Sequence, residues 1–312
     1  MKALLRRLPF LKGLLEDRER IRAEKNRLQM ELANLRQFTQ EGHYYSPIPS
    51  QEEIRTRESE LFTVPESLAG IALNEAGQRE LLERILPLAE AQPFPETRKG
   101  DFRYYLDNPY FAYADGIFLY CLLRHCAPRR VIEVGSGFSS AALLDINGRF
   151  FNGALKCTFI EPYPERLFSL IKPEDVERLD VRCQPVQSVA LSLFGELQRD
   201  DILFIDSSHV GKIGSDVNHL LFRVLPLLSE GVRVHFHDIY HPFEYPKAWI
   251  YEGRAWNEAY LLRAFLQYNR DFQIEFFNSY LFHKGLFDAL PFCKKSPGSG
   301  LWIRKTSGGE TI

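Results

Sequence analysis

The chain has 312 residues, 45% hydrophobic and 26% charged, a balance typical of globular proteins and long enough for one large domain with additions. Its formal net charge of −2 lacks the basic excess of a duplex binder, so no nucleic-acid partner is expected. Five cysteines (Cys121, Cys126, Cys157, Cys183 and Cys293) without C-x-x-C spacing argue against a disulfide framework or a cysteine zinc site and suit a reducing compartment.

Charge, Pro9 and Gly13 interrupt the basic, partly apolar start before a signal-peptide core can form. No apolar run reaches the length of a membrane span, so the chain is expected to be cytoplasmic. Residues 1–43 are assigned to an amphipathic N-terminal helix rich in Glu, Arg, Lys, Leu and Gln. Leu14, Ile21, Leu28 and Leu35 recur every seven residues, but the companion position reads Arg18, Lys25 and then Leu32. A sustained coiled-coil seam is therefore absent. The helix packs either on its own domain or on a second copy, which leaves homo-oligomerisation open. A weaker reading has Leu4, Leu5, Leu8, Phe10 and Leu11, with Arg6 and Arg7, touching a membrane surface. Residues 44–99 read as the linker "YYSPIPS" followed by a helical segment containing "AGQRELLERILPLAEAQ".

The main domain is assigned to residues 100–305, with a flexible tail at 306–312. It begins with helical spacing from Phe118 to Leu123, stopped by Pro128. From residue 130, short apolar runs alternate with helical segments: "RRVIEVG", "SSAALLDIN", "KCTFIEP", "PERLFSLI", "LDVRCQPV", "SVALSLFGEL", "DILFIDSS", "DVNHLLFRVLPLLSEG" and "VRVHFHDI". Strands apolar on both faces and separated by helices indicate a parallel sheet covered on both sides. Two late strands, "FQIEFFNSYLF" and "GLWIRK", follow another helix.

"VIEVGSGFSS" sets a glycine turn between an apolar strand and a helix. Gly135 and Gly137 let the backbone bend sharply and approach a ligand, and the helix start offers free amide donors. Glu161 ends the next strand, 24 residues beyond Gly137, where a carboxylate accepts from both ribose hydroxyls of a nucleoside. No third glycine follows, which leans away from a dinucleotide. Further on, "DILFIDSSHV" ends a strand at Asp206 with His209 three residues later, and "VHFHDIYHP" places His237 and Asp238 at another strand end. Ligands of open α/β sheets bind outside the carboxyl ends of the strands.

These four stretches, in this order, resemble the class I S-adenosylmethionine-dependent methyltransferases, and more narrowly the metal-dependent O-methyltransferases of the catechol and macrolide-sugar type. The resemblance spans about residues 100–305. It implies an α/β fold: a Rossmann-like, seven-stranded, mostly parallel sheet with helices on both faces and an antiparallel final strand, here with an N-terminal helical extension. It implies S-adenosylmethionine as cofactor, with Gly135, Ser136, Gly137 and the neighbouring Ser139 at its methionine part and Glu161 at the ribose. Glu133 takes the family's acidic strand-end position, and Gln187 or Ser188 the adenine edge. A divalent cation, Mg²⁺ or Mn²⁺, falls to Asp206, His237 and Asp238, and His209 is the candidate base, with Lys212 as a substitute. The acceptor is expected to be a hydroxyl of a sugar, glycan or other small molecule.

Asp216 reads by default as a helix-start charge, and His219 as structural. The aromatic stretch "HPFEYPKAWIYEGRAWNEAY" suits a lid over an acceptor. Tyr45, Ser46, Tyr113 and Asp115 lie upstream, where relatives cover the cofactor. Two rivals stand beside this. His235 and His237 with Asp206 could form the two-histidine, one-carboxylate iron site of an oxygenase, and a non-catalytic S-adenosylmethionine-binding assembly protein would need the fold alone. A nicotinamide dehydrogenase ranks last.

Overall fold

The computed structural model describes residues 9–35 and 38–307, which divide into two compact units. The first comprises Met1–Thr63 with Tyr251–Ala255. Its long helix α1, Pro9–Leu35, carries local ion pairs such as Glu24–Arg27 at 2.8 Å and Asp17–Arg20 at 3.1 Å, each worth about 0.3–0.5 kcal/mol. Leu14, Ile21 and Leu28 of the seven-residue repeat are all exposed. The membrane-contact stretch proposed from sequence falls on residues 1–8 and on the side chains of Phe10 and Leu11, outside what is described. No described helix is long and apolar enough to cross a membrane. After the linker, the Ser50 hydroxyl caps a short helix by accepting from Glu53 N–H at 3.3 Å. Tyr251 donates to Glu58 and lies under the Arg55 guanidinium.

The second unit, Val64–Ile250 with Trp256–Ile312, holds a seven-stranded sheet. In chain order the strands are β1 (Arg130–Val134), β2 (Lys156–Ile160), β3 (Asp180–Arg182), β4 (Ile202–Ile205), β5 (Arg233–Phe236), β6 (Phe272–Phe277) and β7 (Leu301–Lys305). Their spatial order is β3-β2-β1-β4-β5-β7-β6. The first five pair in parallel, and β7 runs antiparallel between β5 and β6. β4 and β5 are buried along their whole length, which explains why they read as continuous apolar runs rather than alternating ones. Each fully buried Phe, Ile or Val there contributes about 1.5–3 kcal/mol.

Four helices position the site: α2 (Glu75–Glu90), α3 (Ala114–Cys126), α4 (Phe138–Phe150) and, further on, α5 (Glu258–Leu266). The α2 region is tied to edge strand β6 by polar contacts. Buried Gln78 accepts from Phe277 N–H at 2.8 Å, and Asn74 donates to Ile274 O at 2.9 Å. The compact unit accordingly starts at Val64 and takes in α2. Arg103 ties the chain before α3 to α4 and beyond, bonding Asp145 at 2.9 Å and Asp175 at 2.6 Å with little exposure.

One predicted element needs correction. The run "FQIEFFNSYLF" is not one strand, because β6 stops at Phe277 and Asn278–His283 is helical. Phe277 pairs with Leu301, the first residue of β7, so no partner strand remains beyond it. At the tail, Thr306 still donates its N–H to Asp271 O at 2.8 Å.

Candidate active site

The parallel ladder carries five site residues to one end of the sheet. β1 ends at Val134 and β4 at Ile205, which are register partners. Gly135 and Asp206 are therefore neighbours, and the Asp206 N–H donates to Val134 O at 2.8 Å. β5 lies beside β4, with His237 N–H donating to Ile205 O at 2.9 Å. Gly135, Glu161, Asp206 and His237–Asp238 thus follow four strands, β1, β2, β4 and β5, on one rim.

At the glycine turn, only one of the two glycines is there for its backbone freedom. Gly135 has φ +82°, and a Cβ on it would lie 1.9 Å from the carbonyl oxygen of Asp206. Gly137 has φ 178°, an extended value open to any residue, so the sequence-based reading that both glycines make the bend holds for Gly135 alone. Glu133, buried on β1, accepts from the hydroxyls of Ser139 and Ser140 at 2.5 Å each, while Ser140 Oγ also accepts from Gly137 N–H at 3.0 Å. These groups brace the turn from behind.

Burial pushes the Glu133 carboxyl up to about 8, against the pull of the two serine hydroxyls. In the unfolded chain the same group sits near its ordinary value of 4.5. Its stabilising contribution is therefore complete below about pH 4.5 and lost as pH rises through about 8. Glu133→Gln, which cannot ionise, is expected to flatten stability over that window. Urea unfolding midpoints at several pH values would check this, and a slope equal to wild type would contradict it.

Glu161 is fixed by two backbone donors, Ser136 N–H at 2.9 Å and Tyr163 N–H at 2.8 Å. It lines a cavity of about 470 Å³ with Gly135, Gln187, Asp206, Lys212 and Asp216, a volume in the range of small-molecule sites. Gln187 donates to Gly214 O at 2.8 Å across this cavity, and Ser188 is exposed beside it. Asp216 accepts from Ser208 N–H at 2.7 Å and Ser208 Oγ at 2.6 Å, so it holds the loop after β4. Ser215, rather than Asp216, caps the short helix there.

Beyond Asp206 lies a cluster of acids and histidines. His209 Nε2 is 3.4 Å from Asp206 Oδ1 and 3.8 Å from Asp238 Oδ2. His237 Nδ1 is 3.7 Å from Asp206 Oδ1 and 3.5 Å from Asp238 Oδ1, and this buried nitrogen has no hydrogen-bond partner among the described residues. Burial pulls both imidazoles down, but the surrounding carboxylates outweigh it and raise each to about 10. For His209 these are Asp206 and Glu258; for His237 they are Asp238, Asp206 and Asp115. Asp206 is pushed up by burial yet held at about 2 by His237 and His209, and burial raises Asp238. His209 and Asp238 both adopt positive φ, 60° and 57°, uncommon for non-glycine residues and a mark of backbone held in place by its surroundings.

Two further contributors, Glu258 and Ser299, were not legible in the sequence as site residues, and Asp115, expected only as part of a cofactor cover, joins them. Glu258 bonds His209 Nδ1 at 2.8 Å. Asp115 lies 3.8 Å from His237 Nε2 and accepts from Ser299 N–H at 2.9 Å. Ser299, in the stretch "SPGSG", donates to Asp238 Oδ1 at 2.9 Å and sits 3.3 Å from His237 Nε2. His235, by contrast, is packed between Phe204 and Trp302, with ring centroids 4.1 and 4.7 Å away. Burial drives its pKa well down, so it is a neutral interior ring. His241 packs on Tyr280. Trp256 lies on the His209 ring at 4.3 Å, and Trp249 meets Trp256 edge-on at 5.2 Å.

The family described as "Methyltransferase domain" matches residues 132–239, which span the glycine turn through Asp238. An uncharacterised protein of Archaeoglobus fulgidus is 36% identical over 167 residues, covering 52% of this chain and 74% of the relative. The chain contains a methyltransferase domain. The sheet order and the reversed β7 of this methyltransferase are those expected from the sequence, a mostly parallel seven-stranded sheet with an antiparallel final strand. Among solved structures it is similar to the SAH-bound methyltransferase PaMTH1 of Podospora anserina (16% identity, TM-score 0.42, covering 84% of this chain and 99% of the other). It is also similar to the O-methyltransferase TomG of Streptomyces achromogenes in complex with SAM (15% identity, TM-score 0.40, covering 82% and 96%). Those likenesses are too loose to carry an acceptor or a residue role across to this methyltransferase.

Proposed function

We propose that this methyltransferase methylates a hydroxyl of a small-molecule or glycan acceptor, with His209 as base and with Asp206, His237 and Asp238 holding a divalent cation. The observation that carries this is the meeting of His209 with Asp206 and Asp238 (3.4 and 3.8 Å) beside the cavity that Asp206 shares with Gly135 and Glu161. S-adenosylmethionine would supply an electrophilic methyl group to the acceptor oxygen and leave as S-adenosylhomocysteine, and His209 Nε2 would take the hydroxyl proton. Glu161, already oriented by two backbone donors, accepts from the ribose, and the turn at Gly135 to Gly137 faces the methionine part. Trp256 and Trp249 cover the acceptor side and exclude water.

No trio of His, Cys, Asp and Glu among the described residues has closed into a metal-ligand group. The donor set nevertheless fits a cation: one imidazole nitrogen without a hydrogen-bond partner faces two carboxylates, and the carboxylates favour Mg²⁺ while the imidazole moves preference towards Mn²⁺, Fe²⁺ or Zn²⁺. A bound cation would lower the pKa of the acceptor hydroxyl and offset the aspartate charge that otherwise keeps His209 protonated.

The test is transfer of a labelled methyl group from S-adenosylmethionine to a panel of sugars, catechols and other alcohols. Dialysis against EDTA is expected to remove most of the transfer, and Mg²⁺ or Mn²⁺ to restore it. Mn²⁺ bound to the protein is expected to be visible by electron paramagnetic resonance and lost in Asp206→Ala. A rate indifferent to chelator would remove the cation from the mechanism, and failure to bind S-adenosylhomocysteine by calorimetry would remove the cofactor.

A further inference from the structure

His209 is held from a distant part of the chain. Glu258, the first residue of α5 and 1% exposed, places its Oε2 2.8 Å from His209 Nδ1 and accepts there from the Ser207 hydroxyl, also at 2.8 Å. The backbone N–H groups of Asn257 and Glu258 donate to the His209 carbonyl at 3.0 and 3.1 Å, and Ser207 Oγ accepts from His209 N–H at 2.9 Å. Trp256 covers a face of the ring. The start of α5 thus fixes both the backbone and the ring of a residue 49 positions earlier, and does so at a left-handed φ that the loop alone would not favour.

A carboxylate is acceptor-only, so the atom facing it must be a protonated nitrogen. With Nδ1–H directed at Glu258, Nε2 is the nitrogen left facing Asp206 and Asp238. The other Glu258 oxygen, Oε1, is buried and has no hydrogen-bond partner among the described residues. A buried oxygen left there without a donor is costly, and the use of the group is to hold the ring and balance the charge that develops on it. Resting on the assignment of His209 as base, we propose that Glu258 is its positioning residue, fixing Nδ1–H inward and presenting Nε2 to the acceptor hydroxyl.

The experiment uses the full chain labelled with ¹⁵N-histidine and saturated with S-adenosylhomocysteine. A deshielded, slowly exchanging Nδ1–H proton is expected for His209, assigned by its loss in His209→Asn. Glu258→Leu, close in size but without an acceptor, should abolish that signal while cofactor affinity stays within about twofold; an unchanged His209 signal overturns the proposal. Glu258→Gln keeps the shape and an acceptor if the leucine variant does not fold. It should lower kcat by about tenfold or more without a matching change in KM for S-adenosylmethionine, because carboxylate orienters of catalytic histidines act on turnover. Neither substitution should lower transfer further in a His209→Asn background. If His209→Asn itself transfers methyl groups at the wild-type rate, the base assignment fails. If His209→Asn loses transfer but Glu258→Gln retains wild-type kcat, the positioning role fails alone.

Discussion

Replacing His209 with asparagine is expected to lower methyl transfer by about 10²- to 10⁴-fold, the range spanned by general bases, while leaving S-adenosylhomocysteine binding nearly unchanged. Asparagine is the informative choice because His209 has φ 60°, a conformation that asparagine tolerates better than most residues. Its side chain can still donate to Glu258, so the buried carboxylate is not left facing nothing. The cavity lined by Gly135, Glu161 and Asp206 does not include His209, which is why cofactor affinity should survive. Single-turnover methyl transfer beside calorimetric titration separates the two effects. A variant with wild-type transfer would place the proton acceptor elsewhere, with Lys212, which lines the cavity, as the next candidate.

What the sequence disclosed and what it hid follow from how each residue is held. The strands were legible because β1, β4 and β5 are buried on both faces, and a doubly buried strand leaves a continuous apolar run. Asp206, His237 and Asp238 were legible because each follows such a run directly. Glu258 was not, since an acid in the first turn of a helix has an ordinary explanation in the helix dipole. Its contact with His209 bridges 49 residues. Ser299 was hidden for a similar reason: "SPGSG" looks like a plain turn, yet its serine meets His237 across 62 residues. His235 and His237 look alike in sequence, but alternation along a strand does not set their roles. The end of β5 does, leaving His235 inside the sheet and His237 at its rim.

Gly135→Ala is expected to destabilise the protein by about 3 kcal/mol or more and to abolish S-adenosylhomocysteine binding. A left-handed alanine costs about 1–3 kcal/mol through backbone strain, and here a second cost is added. The new Cβ would lie 1.9 Å from the carbonyl oxygen of Asp206, a backbone atom that cannot swing aside. Relief requires β1 and β4 to separate where Asp206 N–H bonds Val134 O at 2.8 Å, which displaces Asp206 from both the cavity it lines and the histidine cluster. Gly137→Ala provides the internal control. Its φ is extended, and its nearest obstacle is the Arg166 side chain at 3.1 Å, an exposed and flexible group that can give way. The alanine there should cost no more than about 1 kcal/mol and leave binding measurable. Urea unfolding and calorimetric titration of the two variants side by side would decide the matter. Equal losses at both positions would mean that the two glycines serve one shared purpose at the ligand, and that the close crossing of Gly135 over the end of β4 is not what makes the turn indispensable.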